Sequence, residues 1–370
     1  MNEANISLGA TKQNFGIGPA PFLFDSMTTG RIMLITSAAL IPALGVTLYY
    51  FGFGAFWQFL ICVITGIVTE AAVALLRHRK VIHVIFDFSW LVTALILALT
   101  LPPLTVWYLT VATALFAFVI VKQVFGGLGM NIFNPAMTGF VFLIISAPGA
   151  LFTSYLTPAD AAIMEATPVA TYNIIFNRED SKSLRETLKE LSADEVNTFS
   201  GATYLESVKT AKKAGAEGNI RSPDFTRPAF AAYLWLAAAY LLGGIVLMIF
   251  RIIIKRMVFA YFVSLVIFSC IGHLLFPELF MTPVEQLLLG GTMLCGFFII
   301  TDPVTNAGTS KGRIVFAIFV AFLIVLIRAK GSYSDSVAFA IMLGNAAAPL
   351  IDVLTRRRPY GVGYRKGGMD

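Results

Sequence analysis

A chain of 370 residues that is 57% hydrophobic and only 13% charged, with a mean hydropathy of +0.79, is not a soluble domain, in which charged residues make up about a quarter. Its net charge of +6 bears on membrane topology and anionic lipid, and because the basic residues are scattered over short loops, no nucleic-acid partner is expected. Cys62, Cys270 and Cys295 sit singly in apolar runs and cannot supply the four thiolates of a usual iron–sulfur cluster, and His78, His83 and His273 are too dispersed for a metal site.

Residues 1–30 are mixed polar with Gly and Pro, and the first long apolar run begins only after Arg31, which reads as a retained span and not as a cleaved leader. A helix needs about 20 apolar residues to cross a bilayer core of about 30 Å. Ten spans are predicted on that basis, at 32–53, 56–76, 84–101, 104–122, 136–156, 230–250, 257–276, 284–300, 314–328 and 335–355. The organisation is then a cytoplasmic segment 1–30, a five-helix membrane repeat 31–156, a polar loop 157–227, a second five-helix repeat 228–355 and a basic tail 356–370.

Lys and Arg of short loops gather on the cytoplasmic side. With the N-terminus inside, 16 of the 27 basic residues fall in inside loops and tails, two (Arg328 and Lys330) in short outside loops, and nine in the long loop. Both termini are therefore expected in the cytoplasm, with 157–227 on the extracytoplasmic, periplasmic side. Five spans before the loop and five after it give the second half the opposite orientation, the arithmetic of an inverted repeat. A sequence echo agrees: "TLPP" after the third span and "TDPV" after the eighth place Thr100 with Pro102 and Thr301 with Pro303 at span ends.

Carboxylates at membrane depth are costly and are functional candidates by default. Glu70, Asp87, Glu285, Asp302 and Asp352 qualify. Glu70 lies deepest, beside Thr69, and is the best candidate for a cation path or proton relay. Asp87, Glu285 and Asp302 lie near span ends, where a helix N-terminus or water satisfies a carboxylate, and Asp352 suits a snorkelling ion pair with Arg356. The segment "FGGLGMNIFNPAMTGF", 125–140, lacks the strand and spacing of a dinucleotide fingerprint. Its glycines suit a re-entrant turn, and Asn134-Pro135 marks a helix start. This segment and "TDPVTNAGTSKGR", 301–313, are both rich in side chains able to contact an ion or a cofactor.

In the long loop, "SKSLRETLKELSADEV" predicts a short helix: Leu184, Leu188 and Leu191 share a face, and Ser183 with Glu186 forms a capping box. A second helical pattern follows "SGAT", Ser200-Gly201-Ala202-Thr203. Two readings of Thr203 are open. With Glu206 it makes a capping box; alternatively, a phosphate esterified to its hydroxyl would sit at a helix N-terminus, where backbone N–H groups and the dipole favour an anion.

The segments "LLLGGTMLCGFFIITDPVTNAGTSKGR", "SVAFAIMLGNAAAPLIDVLTRRRPYG" and "GLGMNIFNPAMTGFVFLIIS" resemble the family that comprises the D subunit of the bacterial Rnf electron-transport complex and the B subunit of the sodium-pumping NADH:quinone reductase. The resemblance covers about 30–156 and 228–361. It implies a urea-channel-like pair of inverted five-helix repeats in the bacterial inner membrane. It also implies FMN joined through its phosphate to the Thr of a D-x-x-[ST]-G-A-T motif, here Asn197 to Thr203, with Asn197 standing where Asp is usual. The activity implied is electron transfer between ferredoxin and NAD coupled to Na⁺ or H⁺ translocation. The partners implied are the A, B, C, E and G subunits, above all the flavin-bearing G subunit, and a flavin transferase for maturation. A riboflavin is a further cofactor of the B-type relatives, and Glu70, Asp87, Asn134, Thr301 and Asp302 are the candidates for an ion path or second flavin. The protein's part is to orient the flavin and tune its potential, so no acid–base catalytic residue is required. A small-solute channel of the same architecture, the B subunit of the quinone reductase, and a structural subunit without flavin are the competing readings.

Overall fold

The structure, a computed structural model, describes residues 27–152, 154–156, 158, 161, 167–177, 228–331 and 336–356. The described residues are helical, without strands. The first half contains α1 (Thr29–Phe51), α2 (Gly54–Leu76), α3 (Val81–Ile85), α4 (Ser89–Thr100), α5 (Trp107–Gln123), α6 (Pro135–Ser146) and α7 (Pro148–Phe152). A short helix α8 (Pro168–Phe176) follows, and the second half contains α9 (Pro228–Ile249), α10 (Lys255–Leu275), α11 (Pro283–Leu288), α12 (Thr292–Leu294, continued by a π turn over Cys295–Ile299), α13 (Ser310–Lys330) and α14 (Ser336–Thr355). Residues 231–249 of α9, with α1, α2, α10, α13 and α14, make six helices long and apolar enough to cross a membrane, and α4, α5 and α6 are shorter apolar helices. This is a multi-pass membrane protein.

The chemistry of the helix starts is local. Thr28, Asn134, Thr282 and Thr309 each accept a hydrogen bond from a first-turn backbone N–H of α1, α6, α11 and α13. Within the apolar helices, Thr47, Thr93, Thr113 and Ser269 turn their hydroxyls back to the carbonyl four residues earlier, so these hydroxyls are not offered unsatisfied to lipid.

The two helices expected at 84–101 and 284–300 are each split. Between α3 and α4, Phe88 takes a left-handed conformation with φ 55°, and the Asp87 carboxylate receives the Ser89 N–H at 2.8 Å. Between α11 and α12, Gly290 turns at φ 68°, and the Leu289 carbonyl is taken by the Arg328 guanidinium at 3.0 Å. Broken helices persist in an apolar setting where side chains re-satisfy the freed backbone groups, as here. Thr100 and Thr301 close the two downstream pieces alike, each donating its hydroxyl to the carbonyl four residues earlier, at 3.0 and 2.7 Å.

Packing is reciprocal between halves. α1 lies on α9 and α6 on α14, while α2 packs on α3 and α5 as α10 packs on α11 and α13. One core spans both halves, with Leu40, Leu97, Phe140, Tyr261 and Phe316 fully buried. α8 has no counterpart in the sequence reading; it rests on α2, with the Trp57 indole N–H donating to the Pro168 carbonyl at 3.1 Å. The expected helices at 181–196 and after Ser200 lie outside the described residues.

Candidate functional site

Two cavities lie at opposite ends of α1, α4 and α9. The larger, about 310 Å³, is lined by the N-terminal parts of α1 and α4 (Thr36, Ser89, Thr93), by Lys122, Asn131 and Asn134, and by Phe298, Thr301 and Asp302. The opposite cavity, about 160 Å³, lies among the C-terminal ends of α1 and α4, Tyr233 and Tyr240 of α9, the α11–α12 break and Arg328. A third, smaller pocket of about 100 Å³ opens at the α2–α3 turn and is lined by Glu70, Arg77, Arg79, Asp87, Lys122 and Gln123.

The turn leading to the large cavity shows why its sequence is glycine-rich. Gly126, Gly127 and Gly129 all have positive φ, from 88° to 129°, which side-chain-bearing residues rarely adopt. Asn134 then caps α6, accepting from the Met137 N–H at 3.2 Å, and it lines the large cavity together with Asp302. Asp302 accepts from the Val304 N–H and the Thr305 hydroxyl. Asn345 of α14, with its amide turned to satisfy both partners, donates to the Thr305 carbonyl and accepts from the Asn134 N–H. One buried amide thus ties the re-entrant turn of the first half to that of the second.

Beside this, a charged network is buried. Lys122 donates to Glu70 Oε1 at 2.5 Å and to Ser89 Oγ at 2.7 Å; the side chains of the ion pair are 3% and 1% exposed. Gln123 Nε2 donates to Glu70 Oε2 at 2.5 Å, Arg77 reaches Gln123, and the Ser89 hydroxyl donates to Asp87 at 2.6 Å. Lys122 and Gln123 are neighbours in sequence yet both meet Glu70. They do so at the end of a π-helical stretch, Phe116–Gln123, in which the Val124 N–H bonds the Val119 carbonyl five residues back. Such bulges recur at functional sites.

The five membrane candidates are divided between two places. Asn134, Thr301 and Asp302 face the large cavity, and Glu70 and Asp87 face the turn pocket. Asp352 does not serve as the expected ion-pair partner of Arg356: its two oxygens accept from the Gly308 and Thr309 N–H groups at the start of α13, because a helix start offers unsatisfied donors close by. Glu285 makes a full capping box with Thr282. Thr203, Ser200, Gly201, Ala202 and Asn197 lie outside the described residues. Sequence reasoning missed Lys122, Ser89, Gln123, Arg328 and Asn345. It counted Lys122 and Arg328 as loop charges, whereas each is 2% exposed.

Helical spans with charged chemistry held at helix breaks define a multi-pass membrane protein that keeps polar groups inside an apolar bundle. Residues 17–361 match the model of the NQR2, RnfD, RnfE family, and the chain belongs to that family. It is 38% identical over 352 residues to the D subunit of the ion-translocating oxidoreductase complex of Shewanella frigidimarina, covering 94% of this chain and 98% of the relative. Identity to the proteins of the same name from Escherichia fergusonii and Salmonella paratyphi B is 37% over 356 residues, covering 95% of this chain and 99% of each relative.

Proposed function

We propose that this chain is the D-type subunit of an ion-translocating oxidoreductase complex, carrying FMN esterified to Thr203. The observation that carries the reading is near-full-length identity to relatives bearing that name, together with the "SGAT" segment at 200–203. The complex transfers electrons between ferredoxin and NAD and couples this to Na⁺ or H⁺ movement across the inner membrane. Its other members are the A, B, C, E and G subunits, the flavin-bearing G subunit exchanging electrons with this one, and a flavin transferase loads Thr203.

The architecture proposed is ten membrane helices in two inverted repeats of five, with 157–227 periplasmic and both termini cytoplasmic. Three features support it: the reciprocal packing of α1 on α9 and α6 on α14, the broken helix in each half, and the matching Thr100 and Thr301 closures. Burial of Lys122 and Arg328 removes one basic residue from each side of the charge count and leaves the asymmetry intact.

A second, non-covalent flavin of the riboflavin type fits the large cavity. Its volume of about 310 Å³ is within the range of small-molecule sites. Its walls combine apolar side chains with the amides of Asn131 and Asn134 and the hydroxyls of Thr36, Thr93 and Thr301. These residues would hold a ring with polar edges, and the flavin would supply the electron-carrying chemistry. Glu70, Asp87 and Asp302 are the carboxylates available to a cation path at this end.

The covalent flavin is tested by ultraviolet fluorescence of the denatured chain in a gel, after production with its flavin transferase. Wild type is expected to fluoresce, Thr203→Ala to be dark because no oxygen remains to esterify, and Thr203→Ser to retain part of the signal. A fluorescent Thr203→Ala chain would place the flavin elsewhere.

A further inference from the structure

We infer that Lys122 is the proton-transfer group of a path leading from the turn pocket into the large cavity, matching each electron that arrives in that cavity with a proton drawn from the α2–α3 end of the bundle. The inference rests on the reading that the large cavity holds a flavin.

The geometry is that of a bridge. Lys122 lines both the large cavity and the turn pocket. Its ammonium is hydrogen-bonded on one side to Glu70 and on another to Ser89, whose hydroxyl continues to Asp87. Glu70 and Asp87 both face the turn pocket, whose rim is formed by the exposed Arg77 and Arg79. The titratable or charged groups around Lys122 are thus Glu70 and Arg77 from α2, Arg79 and Asp87 from the turns flanking α3, and Asp302 across the large cavity. Glu70 and Lys122, in direct contact, link the turn pocket to the large cavity through groups that both give and accept a proton.

The opposite half holds the corresponding contact with an arginine in place of the lysine. There Arg328, near the end of α13, donates to Thr292 at 2.7 Å, to the Gln286 side chain at 2.9 Å and to Ser336 at 3.1 Å, at the α11–α12 break. Lys122, at the end of α5, makes the corresponding contact to Ser89 at the start of α4. Both brace a broken helix. An arginine keeps its protons at any accessible pH, whereas a lysine can exchange one. The cation that can exchange a proton, Lys122, stands at the large cavity.

The step balances as follows. One electron would reach the cavity from the reduced flavin of a neighbouring subunit. One N–H bond of Lys122 breaks and its proton passes to the cavity's occupant. The Glu70 carboxylate takes a proton from hydronium entering through the turn pocket, leaving water, and hands it to Lys122 Nζ. One electron and one proton enter the cavity, and Lys122 and Glu70 end as they began.

The test uses the purified complex, reduced in weakly buffered solution containing a pH-indicator dye. Lys122→Arg keeps the charge and the clamp on Ser89. It is expected to retain its non-covalent flavin, measured by fluorescence after extraction, while proton uptake on reduction slows at least tenfold. Wild-type proton uptake in a flavin-replete Lys122→Arg complex would overturn the proposal. Should that variant fail to assemble, infrared difference spectra of the wild-type complex decide. Recorded through the course of reduction, they are expected to show a transient protonated-carboxylate band that Glu70→Gln removes, and a wild-type time course with no such transient overturns the path. A wild-type membrane sector that releases no flavin on denaturation would instead refute the cavity's assignment, and the inference with it.

Discussion

Lys122 and Glu70 are separated by 52 residues and meet at 2.5 Å with both side chains almost fully buried. Removing one member of such a pair leaves a desolvated charge and typically costs about 3–5 kcal/mol, whereas replacing both by apolar groups is often neutral or stabilising. Lys122→Met is therefore expected to lower the thermal unfolding temperature in detergent markedly, and Lys122→Met combined with Glu70→Leu to recover most of the loss. A double variant with the summed losses of the two singles would show that the residues do not act as a pair. Glu70 was legible as a candidate because a carboxylate inside an apolar run is conspicuous. Its partner was not, because a lysine at the end of an apolar run looks like the first residue of a cytoplasmic loop. Only the π-helical ending of α5 turns it inward, and no spacing in the sequence announces that. Asp352 shows the reverse error: proximity to Arg356 suggested an ion pair, but the helix start of α13 lies in reach and takes both oxygens.

At the scale of elements, long apolar runs located the helices well, since the boundaries of α1, α2, α9, α10 and α14 follow those runs closely. The interruptions were harder to read. Ile85 to Trp90 stays largely apolar through the α3–α4 break, and the break depends on one residue with a left-handed backbone and on Asp87. In the second half, Gly290-Gly291 was a visible signal for the break between α11 and α12, passed over because its flanks are continuous with a span. Closeness between helices was also invisible. α9 approaches α1 at Gly243, where an added Cβ would lie 2.2 Å from the Ala39 carbonyl oxygen and 2.8 Å from Phe298. Gly243→Ala must therefore part α1 from α9 or displace Phe298. Overpacking of this kind costs about 1–3 kcal/mol, to be read as a lower unfolding temperature in detergent. Unchanged stability would mean that the two helices are not in close contact.

For the whole molecule, the proposed orientation rests on the asymmetry of basic residues. It predicts that a cysteine introduced as Ser192→Cys in the long loop reacts with a membrane-impermeant thiol reagent on intact spheroplasts. Labelling only after the membrane is opened would put that loop in the cytoplasm and take the flavin with it. The sequence shows a multi-pass helical membrane chain; the proposed five-plus-five organisation rests on an odd number of expected spans per half, and the paired helix breaks are the structural feature that supports the proposal. The most direct measurement of the central claim is the intact mass of this chain, taken from a complex produced with its flavin transferase. The account predicts a chain heavier than its sequence by one esterified FMN, with the increment lost in Thr203→Ala. A wild-type chain at its unmodified mass, or an increment that survives Thr203→Ala, would contradict it.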